Sequence, residues 1–220
     1  MVSAVIFDLD GTLLNTLEDL RDSCNRALEK FGFPSRTTDE VRQFVGNGIS
    51  KLMERAIPNG KENPQFENCL LELKNDYAKN YRNKTKAYPG VIDAIKKLKK
   101  FGLKTGIVSN KPDAQVKELA ELYFSDCITK ECAVGERIGI QKKPSPDSLN
   151  EVMRILNVQK ENVIYVGDSD VDIETARNAG TRCISVSWGF RNKEFLMQHK
   201  ATLIVNTTQE LLDAIFTEKI

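Results

Sequence analysis

Asp8 and Asp10 stand two residues apart at the end of an apolar run, Val5-Ile6-Phe7, and Gly11 and Thr12 follow at once. Two carboxylates in one turn beside a glycine-punctuated backbone make a layout for moving a phosphoryl group. One can attack as a nucleophile while the other handles a proton. Alone, the same pair also reads as a strand that ends in solvated acids before a helix cap, so the chemistry needs partners further along. Three groups answer. Ser109-Asn110 directly follow an apolar segment ending at Val108, and a hydroxyl with backbone amides can hold phosphate oxygens. Lys143 precedes Pro144, and its ammonium can neutralise a phosphate or an attacking carboxylate. Gly167-Asp168-Ser169 close a further apolar run, with Asp172 four residues past Asp168 and so on the same helix face. Asp8 and Asp168 cannot lie close together as charges without a cation between them. Ligation by a few carboxylates, completed by substrate phosphate and water, points to magnesium.

The elements that must position these groups follow from the hydrophobic pattern. Val5–Phe7 is a short buried strand. Leu17, Leu20, Cys24, Ala27, Leu28 and Phe31 then form a helical stripe that Gly32 and Pro34 end. Val41, Phe44 and Val45 mark a short helix closed by Gly46-Asn47-Gly48. Ile49, Leu52, Met53, Ala56 and Ile57 give another helical face, and Phe66, Cys69, Leu70, Leu73, Tyr77 and Tyr81 a fourth. No strand pattern interrupts residues 16–82, so this stretch reads as a helical bundle inserted just after the first strand.

From Pro89 the pattern alternates. Val91, Ala94, Ile95 and Leu98 predict a helix whose solvated face carries Lys96, Lys97, Lys99 and Lys100. A strand over Leu103–Val108 and a helix from Asp113 to Leu122 follow. A strand at Cys127-Ile128 and a helix from Pro146 to Leu156 capped by Ser145 come next. Val163–Val166, Cys183–Val186 and Leu203–Val205 read as further strands, with a helix between the first two that ends at Gly180. Alternating strands and helices imply an α/β fold with a doubly wound, Rossmann-like parallel sheet. The expected division is a core of residues 1–15 and 84–220 with a helical domain at 16–83. Ligands in such sheets bind beyond the carboxyl ends of the strands, where all four candidate groups fall.

Composition narrows the partners. A net charge of +1 suggests neither nucleic acid nor membrane lipid as the main partner. No apolar run is long enough to span a bilayer, and the N-terminus lacks signal-peptide features, so the cytoplasm is the expected compartment. Five cysteines without a CxxC spacing argue against a disulfide framework or a zinc site. One histidine, His199, cannot run a histidine relay, which leaves carboxylates, lysine and metal to do the chemistry.

Asp8-Leu9-Asp10-Gly11-Thr12, Val108-Ser109-Asn110-Lys111-Pro112, Lys143-Pro144-Ser145-Pro146-Asp147 and Gly167-Asp168-Ser169-Asp170-Val171-Asp172 resemble, in order and spacing, the four motifs of the haloacid dehalogenase superfamily. The inserted helices resemble that superfamily's helical cap domain. Phe44-Val45-Gly46-Asn47-Gly48, Glu54-Arg55-Ala56, Ala176-Arg177-Asn178-Ala179-Gly180 and Ser187-Trp188-Gly189-Phe190 are similar to the phosphoglycolate phosphatase branch. The resemblance covers nearly the whole chain. It implies a magnesium-dependent phosphatase for small phosphate monoesters, with Asp8 as the nucleophile that forms an aspartyl-phosphate. Asp10 would protonate the leaving alcohol and then activate water. The Asp10 main-chain carbonyl and the side chains of Asp8 and Asp168 would bind Mg2+, with Asp172 a direct or water-mediated ligand. Gly11, Thr12, Ser109 and Asn110 would hold phosphoryl oxygens, with Lys143 balancing charge.

Asp10 argues against dehalogenation, which needs no leaving-group acid. A beta-phosphoglucomutase-like mutase, a pyrophosphatase or nucleotidase of the same fold, and a non-catalytic phosphometabolite-binding protein are the competing readings. A lid is expected, because an aspartyl-phosphate must be shielded from water. Within the helical domain, Gly46, Asn47 and Gly48 with Lys51 and Arg55 are expected to meet a small carboxylate on the substrate, as monomer or homodimer. Trp188 and Phe190 read as packing residues at the domain junction.

Overall fold

The structure, a computed structural model, describes residues 1–217. From the N-terminus, β1 (Ala4–Phe7) and β2 (Leu14–Asn15) lead into α1 (Leu17–Lys30), α2 (Thr38–Phe44), α3 (Ile49–Ala56) and α4 (Phe66–Asn80). The chain returns through β3 (Lys86–Ala87) and then alternates through α5 (Val91–Lys100), β4 (Lys104–Pro112), α6 (Asp113–Phe124), β5 (Ala133–Glu136) and α7 (Asp147–Leu156). It finishes with β6 (Val163–Gly167), α8 (Asp170–Ala179), β7 (Arg182–Val186), α9 (Lys193–Gln198), β8 (Ile204–Val205) and α10 (Thr208–Thr217). Two compact units result: Met1–Leu14 with Ala87–Ile220, and Asn15–Lys86.

The first unit is built on a six-stranded sheet in the order β5-β4-β1-β6-β7-β8, with every neighbouring pair parallel. The strand order reverses on either side of β1, which makes the carboxyl ends of β1 and β6 a topological switch point. All four residues of β1 and all five of β6 are buried, as expected for a sheet covered on both faces. Side-chain alternation divides them. Ile6 and Tyr165 join Val108, Leu149, Val152 and Ala176 in one core cluster, packed against α7 and α8.

The second unit contains α1 to α4, with α1 and α3 packed on α4. Leu17, Leu20, Cys24, Ala27 and Leu28 of α1 are buried as the stripe requires. Thr37 and Glu40 form a reciprocal capping box at the start of α2. Asp19, in the first turn of α1, is almost fully buried. It accepts hydrogen bonds from the amides of Lys84 and Thr85 and from the Thr85 hydroxyl, at 2.9–3.0 Å. The carboxylate thereby ties the start of the helical segment to its end.

Four local expectations change. No strand forms at Cys127-Ile128; the strand that pairs with β4 comes later, as β5 at Ala133–Glu136. Its small residues carry little strand signal, yet Gly135 lets the backbone pass close to the end of β4 and the start of α6, where a Cβ would lie 2.5 Å from the Lys111 carbonyl and 2.6 Å from Asp113 Cα. Ser145 does not cap α7; Pro146 occupies the cap position and no side chain bonds there. Strand β4 runs on to Pro112 rather than stopping at Val108. The polar tail is held as strand because Pro112 pairs with Glu136 of β5, with an irregularity in register from Val108 onward. Helices α9 and α10 have no counterpart in the sequence reading, which ends on the last short strand.

Candidate active site

Asp8 directly follows β1, and Asp168 follows β6, so both carboxylates emerge at the switch point. Asp172 comes from the first turn of α8. It shares a capping box with Ser169, accepting from the Ser169 hydroxyl at 2.6 Å and from the amides of Ser169 and Asp168 at 3.1 and 3.2 Å. Oxygens of Asp8, Asp168 and Asp172 all lie within 4.8 Å of one another, and all three residues are buried. Lys143 brings the opposing charge. Its Nζ donates to Asp8 Oδ1 and Asp172 Oδ1, each at 2.7 Å, and to the Tyr165 hydroxyl at 3.0 Å. Tyr165 Oη in turn lies 3.2 Å from both the Val108 carbonyl and Asp172 Oδ1, as donor to either.

The electrostatics follow from burial. Desolvation pushes the Asp8 carboxyl well above the usual carboxylate range, against the pull of Lys143 and with the help of Asp172 and Asp168. Asp168 is raised to about 7 by burial and then by Asp172. Burial opposes the charge on Lys143, yet Asp172 and Asp8 hold its ammonium well above the ordinary lysine value. One ammonium among three buried carboxylates leaves the pocket short of positive charge. Three clustered oxygen donors with that deficit suit a hard divalent cation.

Asp10 belongs to a different neighbourhood. Its Oδ1 lies 3.0 Å from Lys111 Nζ, and the Ser109 hydroxyl points at Oδ2 from 3.5 Å. It is not part of the cluster of three acids. The two acids of the opening turn thus have separate partners.

The turn that follows them is shaped by close approach. Gly11 has φ +92°, and a Cβ there would fall 2.4 Å from Asp168 Oδ2. Its amide donates to the Leu14 carbonyl at 2.9 Å, and the Thr12 amide to the Leu9 carbonyl at 3.3 Å. These two amides are therefore committed to the turn. The Thr12 hydroxyl donates to Asp168 Oδ1 at 3.1 Å, so the visible task of Gly11 and Thr12 is to seat Asp168. Asn110 likewise faces away from the acids: its side chain bonds the Lys143 backbone in both directions, at 2.8 and 3.0 Å, and fixes the loop that delivers the ammonium.

Sequence reasoning missed several contributors. Lys111 and Tyr165 are both buried and both touch charged groups of the site. Strand alternation could have found Lys111, since residues two apart on a strand share a face and Ser109 was already a candidate. Tyr165 sat inside an apolar run and read as core. The Phe190 amide donates to Asp168 Oδ2 at 2.7 Å, and the Trp188 indole to the Thr12 carbonyl at 3.0 Å. Both residues therefore support the site through polar groups.

The remaining expected residues lie in the helical unit. Gly46 and Gly48 have φ of +113° and +87°, and Gly48 occupies the N-cap of α3. Lys51 pairs with Glu54 at 2.5 Å, and Arg55 donates to the Phe44 carbonyl at 2.7 Å.

Comparison with known proteins bears on the same residues. The sequence profile described as haloacid dehalogenase-like hydrolase matches residues 5–186, which spans the segments that carry Asp8, Ser109, Lys143, Asp168 and Asp172. The protein named phosphoglycolate phosphatase 1 of Pseudomonas aeruginosa is 32% identical over 213 residues, covering 94% of this chain and 78% of its own. A Vibrio vulnificus protein named phosphoglycolate phosphatase is 31% identical over 225 residues, covering 97% and 96% of the two chains. Among solved structures, one from Lactobacillus delbrueckii subsp. bulgaricus, provisionally named a phosphoglycolate phosphatase, superposes with a TM-score of 0.90 at 35% identity, covering 97% of this chain and 98% of its own.

Proposed function

The chain belongs to the haloacid dehalogenase-like hydrolases, and on that premise we propose that this phosphatase is Mg2+-dependent, works through an aspartyl-phosphate on Asp8, and takes phosphoglycolate. The observation that carries the mechanism is the separation of partners: Asp8 faces Lys143 and two further acids, while Asp10 faces Lys111 and Ser109. The substrate choice rests on the names of relatives about 30% identical.

In this reading the Ser109 hydroxyl and the Lys143 ammonium engage the phosphoryl oxygens. The Asp8 carboxylate attacks phosphorus, and the ester oxygen departs with a proton from Asp10. Asp10, now ionised, takes a proton from water as that water attacks the aspartyl-phosphate, which releases phosphate and restores both acids. Asp8, Asp168 and the Asp10 carbonyl would hold Mg2+, with Asp172 bracing Lys143 and the Asp168 loop. The bound ion would supply positive charge opposite the phosphoryl oxygens. Tyr165 fixes the reach of Lys143. We further assign recognition of the substrate carboxylate to Gly46, Asn47, Gly48, Lys51 and Arg55. Replacing Arg55 or Lys51 should raise KM for phosphoglycolate about 10-fold while leaving a neutral alkyl phosphate unaffected.

The decisive measurement is Mg2+-dependent phosphate release over a panel of phosphoglycolate, pyrophosphate, sugar phosphates and nucleotides. Steady release from phosphoglycolate, without a bisphosphate activator, is expected. A preference for any other class removes the substrate assignment, and a need for a bisphosphate activator would replace hydrolysis with a mutase reaction.

A further inference from the structure

Lys111 is a buried cation with no task in the phosphoryl chemistry described above. Its side chain is 2% exposed, whereas that of Asp10, which it faces at 3.0 Å, is 19% exposed. An ammonium is not left in a protein interior without strong compensation, so the Asp10 carboxylate is part of what holds it there. The contact is built into the strand. Ser109 and Lys111 lie two apart on the extended end of β4 and project to one side, each toward a different oxygen of Asp10. The Lys111 amide also donates to Ser109 Oγ at 3.2 Å, which ties the two partners together. Asn110, between them, goes the other way to the Lys143 backbone.

We propose that Lys111 is a positioning residue for proton transfer: its ammonium sets the orientation of the Asp10 carboxylate toward the leaving group, which leaves the Ser109 hydroxyl to the phosphoryl oxygens. Asp10 sits on the turn after β1 with its side chain partly exposed, where an unrestrained side chain samples other rotamers. Proton transfer is sensitive to such displacement, because donor and acceptor must come within hydrogen-bond reach. The inference rests on the phosphatase reading above.

A general acid matters for poor leaving groups and little for good ones, and this separates a positioning role from a structural one. The values of kcat/KM are compared for the wild type, K111M, K111R, D10N and the K111M/D10N double variant. The substrates are phosphate monoesters whose alcohols run from alkyl alcohols to p-nitrophenol. K111M is expected to lose about 10- to 100-fold on alkyl esters and less than about 3-fold on p-nitrophenyl phosphate. K111R should recover most of the loss, and K111M should add nothing in the D10N background. An equal loss across all leaving groups, a loss that persists in the D10N background, or no loss at all overturns the proposal. K111L, which likewise removes the ammonium and its N–H donors, serves the same comparison if K111M does not fold. A wild type that hydrolyses none of the esters overturns the phosphatase reading itself, and the two failures are told apart by that control.

Discussion

Lys143 stands between Asp8 and Asp172 at 2.7 Å from each, and still the pocket lacks positive charge. That imbalance makes Asp8 a poised group: it is desolvated and held in place by one ammonium, and in the proposed reaction the proton-carrying duty would fall to Asp10 instead. Asp8→Asn keeps the size of the side chain and removes its nucleophilicity. It should cut phosphate release by on the order of 10³-fold or more with the circular dichroism spectrum unchanged. Retained turnover would mean that another group attacks. Asp172 shows how a residue's environment narrows its work. Both of its oxygens are occupied, one by Lys143 and Tyr165 and the other by the Ser169 hydroxyl and two amides. Its main effect on the chemistry therefore runs through the groups it holds.

The elements succeed or fail as deliverers of these groups by where they stop. The extra residues of β4 past Val108 carry Ser109 and Lys111 to Asp10 and Asn110 to the Lys143 backbone, and pairing with β5 is what keeps that tail extended. In the helical unit the comparable device is Asp19, which gathers Lys84 and Thr85 onto the first turn of α1. Removing a buried carboxylate that accepts from two amides and a hydroxyl leaves those donors unsatisfied. Asp19→Ala should destabilise the protein by about 2–3 kcal/mol, read as a lower denaturant midpoint. Asp19→Asn, which keeps an acceptor oxygen, should cost less. An unchanged midpoint would show that water replaces the carboxylate at no cost.

For the whole molecule, the acid cluster couples stability to pH and to cation. A carboxyl raised in the folded state is stabilised as the acid. Its contribution is therefore present at low pH and is lost as pH rises through the folded value, about 7 for Asp168. Cation-free protein should melt progressively lower between about pH 5 and pH 8. A divalent cation that binds only the folded state should restore the melting temperature, and more so at pH 8 than at pH 6, where protons compete for the same oxygens. A melting temperature insensitive to Mg2+ at pH 8 would remove the cluster as a metal site. Much of this architecture was legible beforehand. The apolar runs ending at Asp8 and Asp168 were readable because a strand buried in a parallel sheet is apolar along its length and turns polar where it leaves the sheet; Ser109 was found at the end of such a run although β4 continues past it as a polar strand. The stripes of α1 to α4 were readable for the analogous reason at helical period. Lys96, Lys97, Lys99 and Lys100 of α5 are exposed, as their spacing implied. What the chain alone could not disclose are its pairings. Lys111 looked like a loop residue because its strand is extended only by a neighbour 24 positions later, Glu136 against Pro112. Tyr165 looked like core because nothing in an apolar run announces which hydroxyl will meet a lysine. Residue types and their positions at strand ends determined the class of reaction. Long-range pairing and burial, which no local pattern encodes, decided which partner each acid received.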